Sequence, residues 1–182
     1  YIANPQILSD NKINQKGQRI FYTYTAIPQS TGADSIPYIT IMQVNKVLTK
    51  EPVFVEDNDA KDYGTDPIEI SGQSISKAHL NLRYTFLNGG NHLIPHSISL
   101  LIAKDAQPDA RGYLSAELRH DAADDLQLNA NSGYVSFTLE NMPGFKEGTL
   151  KGFKIKTKTI KNETDIVEVT MNNNRKSMNF NI

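Results

Sequence analysis

The chain has no cysteine and no tryptophan. The first absence excludes disulfides, thiolate metal sites and cysteine nucleophiles from these 182 residues. The second removes one of the usual aromatic platforms for sugar rings. Charge of one sign is lacking as well. Nineteen Lys and Arg stand against 20 Asp and Glu, for a formal net charge of −1. Nucleic-acid binders show a basic stripe, so the balance argues against nucleic acid as a partner. No apolar run approaches the ~18–20 residues that a membrane helix requires. Helical periodicity is almost missing too: no stretch of ~10 residues carries an i, i+3, i+4, i+7 apolar stripe, which disfavours a βαβ enzyme fold. The first residue is Tyr1 and not Met, so a processed or trimmed chain is expected, with any signal peptide or lipid anchor before it.

What the sequence does contain is period-2 alternation. Arg19–Ile27 is rich in aromatic and β-branched residues and predicts a strand, as does Tyr38–Leu48. Pro28–Pro37 between them has loop composition. The stretch from Thr49 to Asp66, with Pro52, Gly64 and the acids Glu56, Asp57, Asp59, Asp62 and Asp66, predicts a linker between domains. Beyond it, short strands recur with turns between them. Pro67–Ile70 predicts a brief strand. Ala78–Leu87 alternates, with Leu80, Leu82, Tyr84 and Phe86 on one face. Asn88-Gly89-Gly90-Asn91 has the residues that a hairpin turn demands, and Leu93–Ile102 would then be the return strand. Tyr113–His120, Tyr134–Leu139, a late hairpin of Lys151–Thr159 with Asp165–Met171, and a closing strand Ser177–Ile182 complete the pattern. Regular short strands of this kind predict an antiparallel β-sandwich.

Candidate chemistry is sparse. The four histidines are His79, His92, His96 and His120. Three of them together could bind zinc, or one could act as a base. His92 and His96 are four apart, which on a strand puts them on one face but ~13 Å apart. His96 shares a face with Ile98 and Leu100, and His120 with Leu114, Ala116 and Leu118, so both are expected as half-buried histidines satisfied by internal hydrogen bonds. Glu117-Leu118-Arg119-His120-Asp121 is the densest polar cluster. On a strand Glu117 and Arg119 share one face and His120 takes the other, so an ion pair between Glu117 and Arg119 is expected. A metal-dependent enzyme using His96, His120 and Glu117 would need those faces to converge. Lys154, Lys156 and Lys158 line one strand face; a solvated edge strand accounts for them better than an anion-binding stripe. The aspartates from Asp57 to Asp66 lack the spacing of a calcium loop. Asn162-Glu163-Thr164 matches the glycosylation sequon, a pattern that arises by accident. Serine nucleophile elbows, phosphate loops and His-Glu-x-x-His patterns are absent from the sequence. No cofactor is expected. Tyr113 and Tyr134 project opposite their strands' apolar faces and are candidate binding platforms, alongside Glu117, Arg119 and His120.

Several segments in order resemble one family. Lys16-Gly17-Gln18-Arg19-Ile20 with a strand after it, then Ile41–Lys50, resembles the end of the N-terminal OB-type domain of NigD-like proteins. Asn45-Lys46-Val47 departs from that pattern, since the family's usual acidic residue is replaced. Asp66-Pro67-Ile68, Ala78–Leu82, His96–Leu100, Glu117–Asp121 and Tyr134–Phe137 resemble strand signatures of the family's C-terminal β-sandwich. The resemblance implies an all-β chain, an OB-type partial barrel over residues 1–50 followed by a sandwich over 51–182. It implies a lipoprotein of the Gram-negative envelope, in the periplasm or on the outer membrane, with a lipid anchor before Tyr1. It implies no catalytic residue, and the family's name carries a suggested bacteriocin-immunity role. A non-catalytic envelope protein with a protein or envelope partner is the expectation, and a glycan-binding module of a polysaccharide-uptake surface is the rival.

Overall fold

The computed structural model of the protein describes residues 1–15, 18–27, 38–56, 63–91 and 93–171. Strands dominate, as the alternation predicts, and the described chain divides into two compact units, Tyr1–Thr49 and Lys50–Ile182.

In the first unit, β1 (Ile20–Ile27) and β2 (Tyr38–Lys46) form an antiparallel ribbon with a register shift between Thr23 and Tyr24. These are the two strands read from the sequence. A short helix, α1 (Gln6–Asp10), follows an extended start. That start runs beside β2: Ala3 N donates to Ile39 O, and the Asn4 side chain pairs with both backbone groups of Ile41. Asn4 thereby substitutes for a strand neighbour. The predicted loop Pro28–Pro37, Gly17 and the closing strand Ser177–Ile182 lie outside the described residues.

β3 (Leu48–Lys50) carries the chain across the boundary between the units. The predicted linker is corrected at once by β4 (Val53–Val55), which pairs in parallel with β7 (Ser97–Ala103). Three residues flanked by Pro52 and a run of acids are too few to register as alternation, and their pairing is supplied by a strand about fifty positions away. Then β5 (Ile68–Ser76), β6 (His79–Asn88) and β9 (Asn129–Thr138) pair antiparallel in that spatial order. β5 is much longer than the strand predicted at Pro67–Ile70; a register shift between Ile70 and Gly72 breaks its alternation. The other sheet runs β11-β10-β8-β7-β4, with β8 at Tyr113–Asp121, β10 at Gly152–Lys158 and β11 at Thr164–Thr170.

The sandwich is therefore present, and one of its sheets is mixed. β7 with β8 and β10 with β11 are antiparallel, whereas β10 with β8 and β4 with β7 are parallel. The parallel pair arises because the chain leaves β8, crosses to the other sheet as β9, and returns as β10. Asn88–Asn91 is not a hairpin turn, because β6 pairs with β5 and β9 while the following strand, β7, belongs to the opposite sheet. Turn residues permit a reversal of direction; they do not specify which sheet the next strand joins.

One apolar core fills the space between the sheets. Leu80, Leu82, Val135 and Phe137 meet Ile98, Leu100, Leu114, Leu118, Phe153 and Ile155. The face predicted for Ala78–Leu87 is the inward one. Thr157 sits in this core and donates from Oγ1 to Ile68 O, a hydrogen bond from β10 across to β5. The lysines of β10 do not lie on an edge, since β10 has β11 on one side and β8 on the other. Each has a partner: Lys154 with Asp109 at 2.6 Å, Lys156 with Glu117 at 3.5 Å, and Lys158 with Thr65 O at 3.1 Å.

Candidate functional site

The chemistry-bearing side chains of the sandwich gather at one of its ends. The cause is strand register. Ile98 lies opposite His120 in the β7–β8 pair, so His96, two residues earlier, is its diagonal neighbour on the inward face. His96 Nδ1 stands 2.9 Å from His120 Nε2. The other nitrogen of His120, Nδ1, is 3.0 Å from Pro67 O just before β5. His96 Nε2 is 3.1 Å from Asp125 Oδ2 in the loop after β8. Asp125 Oδ2 also accepts the Gly89 amide at 2.8 Å, from the loop after β6. A single chain of contacts thus runs from Pro67 through His120, His96 and Asp125 to Gly89. The Phe86 ring meets both imidazoles edge-on, with centroids at 5.2 and 5.4 Å.

The surroundings set the charges. His120 is 1% exposed. Burial lowers its pKa below the ordinary histidine value, opposed by its bond to Pro67 O. Asp125 is held below the ordinary carboxylate value, first by the Gly89 amide and against desolvation, with His96 and the Leu126 amide helping. Asp66 closes the same end. Its carboxylate accepts the Ala122 amide at 2.9 Å and Gln127 Nε2 at 3.1 Å, and its own amide donates to His120 O. Among the described residues no group of three or more His, Cys, Asp or Glu is placed to hold a metal ion. His96 and His120 point ring nitrogens at each other and not at a common centre.

The expectation of two internally satisfied histidines describes this arrangement. Of the three groups whose convergence a metal-dependent enzyme would need, the β7–β8 register brings His96 and His120 together. Glu117 does take the opposite face, where Arg119 Nε lies 3.0 Å from Glu117 Oε1 and Arg119 Nη1 donates to Gly64 O at 3.1 Å. Tyr113 sits at the far end of β8. Its hydroxyl bonds Thr170 Oγ1 at 2.7 Å, the Arg111 guanidinium lies 4.7 Å from its ring centroid, and Gly152 packs against the ring edge. Tyr134 belongs to the other sheet, with the Arg83 guanidinium 5.9 Å from its ring centroid. Of the five candidate residues Glu117 and Arg119 therefore stand together, Tyr113 and Tyr134 lie elsewhere, and only His120 joins the buried cluster. Asp125, Gly89 and Asp66 were not singled out as its partners. The available signal was the pairing of Leu93–Ile102 with Tyr113–His120, which the apparent hairpin at Asn88–Asn91 concealed.

Fold and site together define a protein built on a C-terminal β-sandwich of two facing sheets, its loop end tied by a buried histidine pair. The chain belongs to the NigD-like family: the NigD-like C-terminal beta sandwich domain matches residues 51–171. Solved structures share the fold. A protein of unknown function from Bacteroides vulgatus has a TM-score of 0.69 at 20% identity, over 86% of this chain and 72% of that one. A protein designated toxin-related from Parabacteroides distasonis has a TM-score of 0.67 at 25% identity, over 92% and 77%. A NigD-like immunity protein from Bacteroides caccae has a TM-score of 0.60 at 16% identity, over 82% and 71%. None of the curated proteins matches the sequence.

Proposed function

We propose that this chain is a non-catalytic protein of the bacterial cell envelope that acts by binding a protein partner, as an immunity-type protein does. Membership of the NigD-like family over residues 51–171 is the observation that carries the reading. The geometry of the histidine pair supports it. A general base needs a ring nitrogen free to reach a substrate proton, and all four nitrogens of His96 and His120 are engaged internally. The first unit supplies exposed apolar surface of the kind that interfaces use. Tyr22 and Tyr24, with ring centroids 5.8 Å apart, are 47% and 56% exposed, and Met42 is 65% exposed. A glycan-binding role would fall to Tyr113 and Tyr134. Tyr113 offers little to a sugar, since Arg111 stacks on its ring and Thr170 holds its hydroxyl.

Tagged protein in an anaerobic Gram-negative host tests the proposal. It is expected in the envelope fraction, cross-linked there to a protein partner, and that cross-link is expected to weaken in a Tyr22→Ala, Tyr24→Ala variant. Hydrolytic turnover by the purified chain on a panel of glycans and peptides would overturn the reading, as would recovery in the cytosolic fraction alone.

A further inference from the structure

The contacts at the sandwich end impose a proton count. Pro67 O can only accept, so His120 Nδ1 carries a hydrogen. At the other end the Asp125 carboxylate accepts as well, so His96 Nε2 carries one. Between them, His96 Nδ1 and His120 Nε2 are 2.9 Å apart, a distance that requires a third hydrogen on one of the two. Two neutral imidazoles have only two N–H hydrogens. With both neutral, one contact lacks its hydrogen: two lone pairs face each other at the centre, or an imidazole lone pair faces the Asp125 carboxylate or Pro67 O.

We propose that His96 and His120 together hold three ring protons in the closed form, and that this extra proton, balanced by Asp125, latches the loop after β6 to the loop after β8. Loss of the proton leaves one of the three contacts without a hydrogen, and that contact opens. The charge lies on the His96 side, because His96 borders the carboxylate and is the less buried of the two rings. The groups that face the pair are consistent with one positive charge. Asp125 comes from the loop after β8, Asp121 from the end of β8, and Asp66 from the segment before β5. From β6 the neighbour is the uncharged ring of Phe86. Among the described residues two further hydrogen bonds join the loops at this point: Gly89 N donates to Asp125, and Leu128 N donates to Asn88 O at 3.1 Å. Leu126 and Leu128, already exposed, lie on the loop that the latch holds.

The test is the ring-nitrogen NMR spectrum of the whole chain between about pH 5 and about pH 8, the interval in which histidines change charge. At the acidic end three of the four nitrogens of His96 and His120 are expected to be protonated. As the proton leaves, exchange of the Gly89 amide is expected to speed up by about tenfold, the scale of one lost hydrogen bond, while the Ile155 amide in β10 is unaffected. Asp125→Asn is the discriminating variant. An asparagine that keeps the Gly89 contact places its neutral carbonyl oxygen against both Gly89 N and His96 Nε2, so the third ring proton loses its counter-charge. The count is expected to fall from three to two and the pH response of Gly89 to disappear. Two ring protons in the unaltered chain throughout the interval would overturn the proposal, whether or not the variant folds. Gly89 exchange that ignores the proton's loss would overturn the latch.

Discussion

Gly64 shows how tightly single residues are specified at the sandwich end. It has φ of +71°, and a Cβ there would stand 2.4 Å from His120 O and 2.6 Å from Asp121 Cα. Both neighbours are backbone and cannot swing aside. Gly64→Ala therefore combines left-handed strain with a clash against β8, and a loss of about 2 kcal/mol or more is expected in denaturant unfolding. A loss under about 0.5 kcal/mol would show that the segment moves away at little cost. Phe153 represents the core proper. It is fully buried between the sheets, and Phe153→Ala is expected to cost about 3–5 kcal/mol, read as a lower denaturant midpoint at unchanged slope. Asp109 illustrates a surface group set by its partner. The Lys154 ammonium, with the Tyr113 amide, holds its carboxyl at about 2. Residue types of this sort were legible one by one. Tyr113 was not legible as a covered ring, because Arg111 and Thr170 reach it only through the fold.

The strands divide into those that declare themselves and those that depend on others. β6 and β8 alternate clearly, with buried inward faces that match the predicted ones. β4 has three residues, and only its parallel pairing with β7 makes it a strand. Its correction from linker to strand follows from a partner no local pattern reveals. β10 reads as an edge because of its lysines, yet it is flanked on both sides, and the lysines meet acids and carbonyls on the outer face. Between elements, the bond from Thr157 to Ile68 O ties one sheet to the other within the core. Thr157→Val keeps the volume and removes one donor from a buried carbonyl at the start of β5. A cost of about 1–3 kcal/mol is expected by thermal or denaturant unfolding; a neutral result would mean that Ile68 O finds another donor.

At the scale of the molecule, the principal apolar cluster lies wholly within the second unit, from Ile68 to Val169. A fragment beginning at Lys50 is expected to unfold in one cooperative step with strand-type circular dichroism. A broad, non-cooperative transition would show that the sandwich depends on the first unit. The same domain is expected to lose stability in acid. Burial holds His120 below the ordinary histidine value, so the unfolded chain takes up that proton more readily. The His120 contribution is therefore complete above about pH 6.5 and falls as the pH drops through that value. Asp125, also lowered, adds a second loss in the carboxylate range, as the pH falls further. Melting temperatures measured on descending pH should decline in both stages, and His120→Gln should remove the upper one. An upper stage that persists in that variant would place its origin elsewhere.

The sequence alone determined that this is a strand-built, cysteine-free chain with a sandwich core, because alternation with a period of two is a local consequence of which face each side chain takes. It also placed Glu117 and Arg119 together and His120 on the opposite, apolar face, by the same rule. The tertiary structure decided which strands are neighbours: the parallel pairs β8–β10 and β4–β7, the passage from β6 to the opposite sheet, and the meeting of His96 with His120. Pairing between strands is a property of two distant segments and their register, and no single segment carries it. For that reason the histidines looked scattered along the chain, and only the β7–β8 register, with Asp125 and Pro67 at its ends, made one proton-holding chain of them.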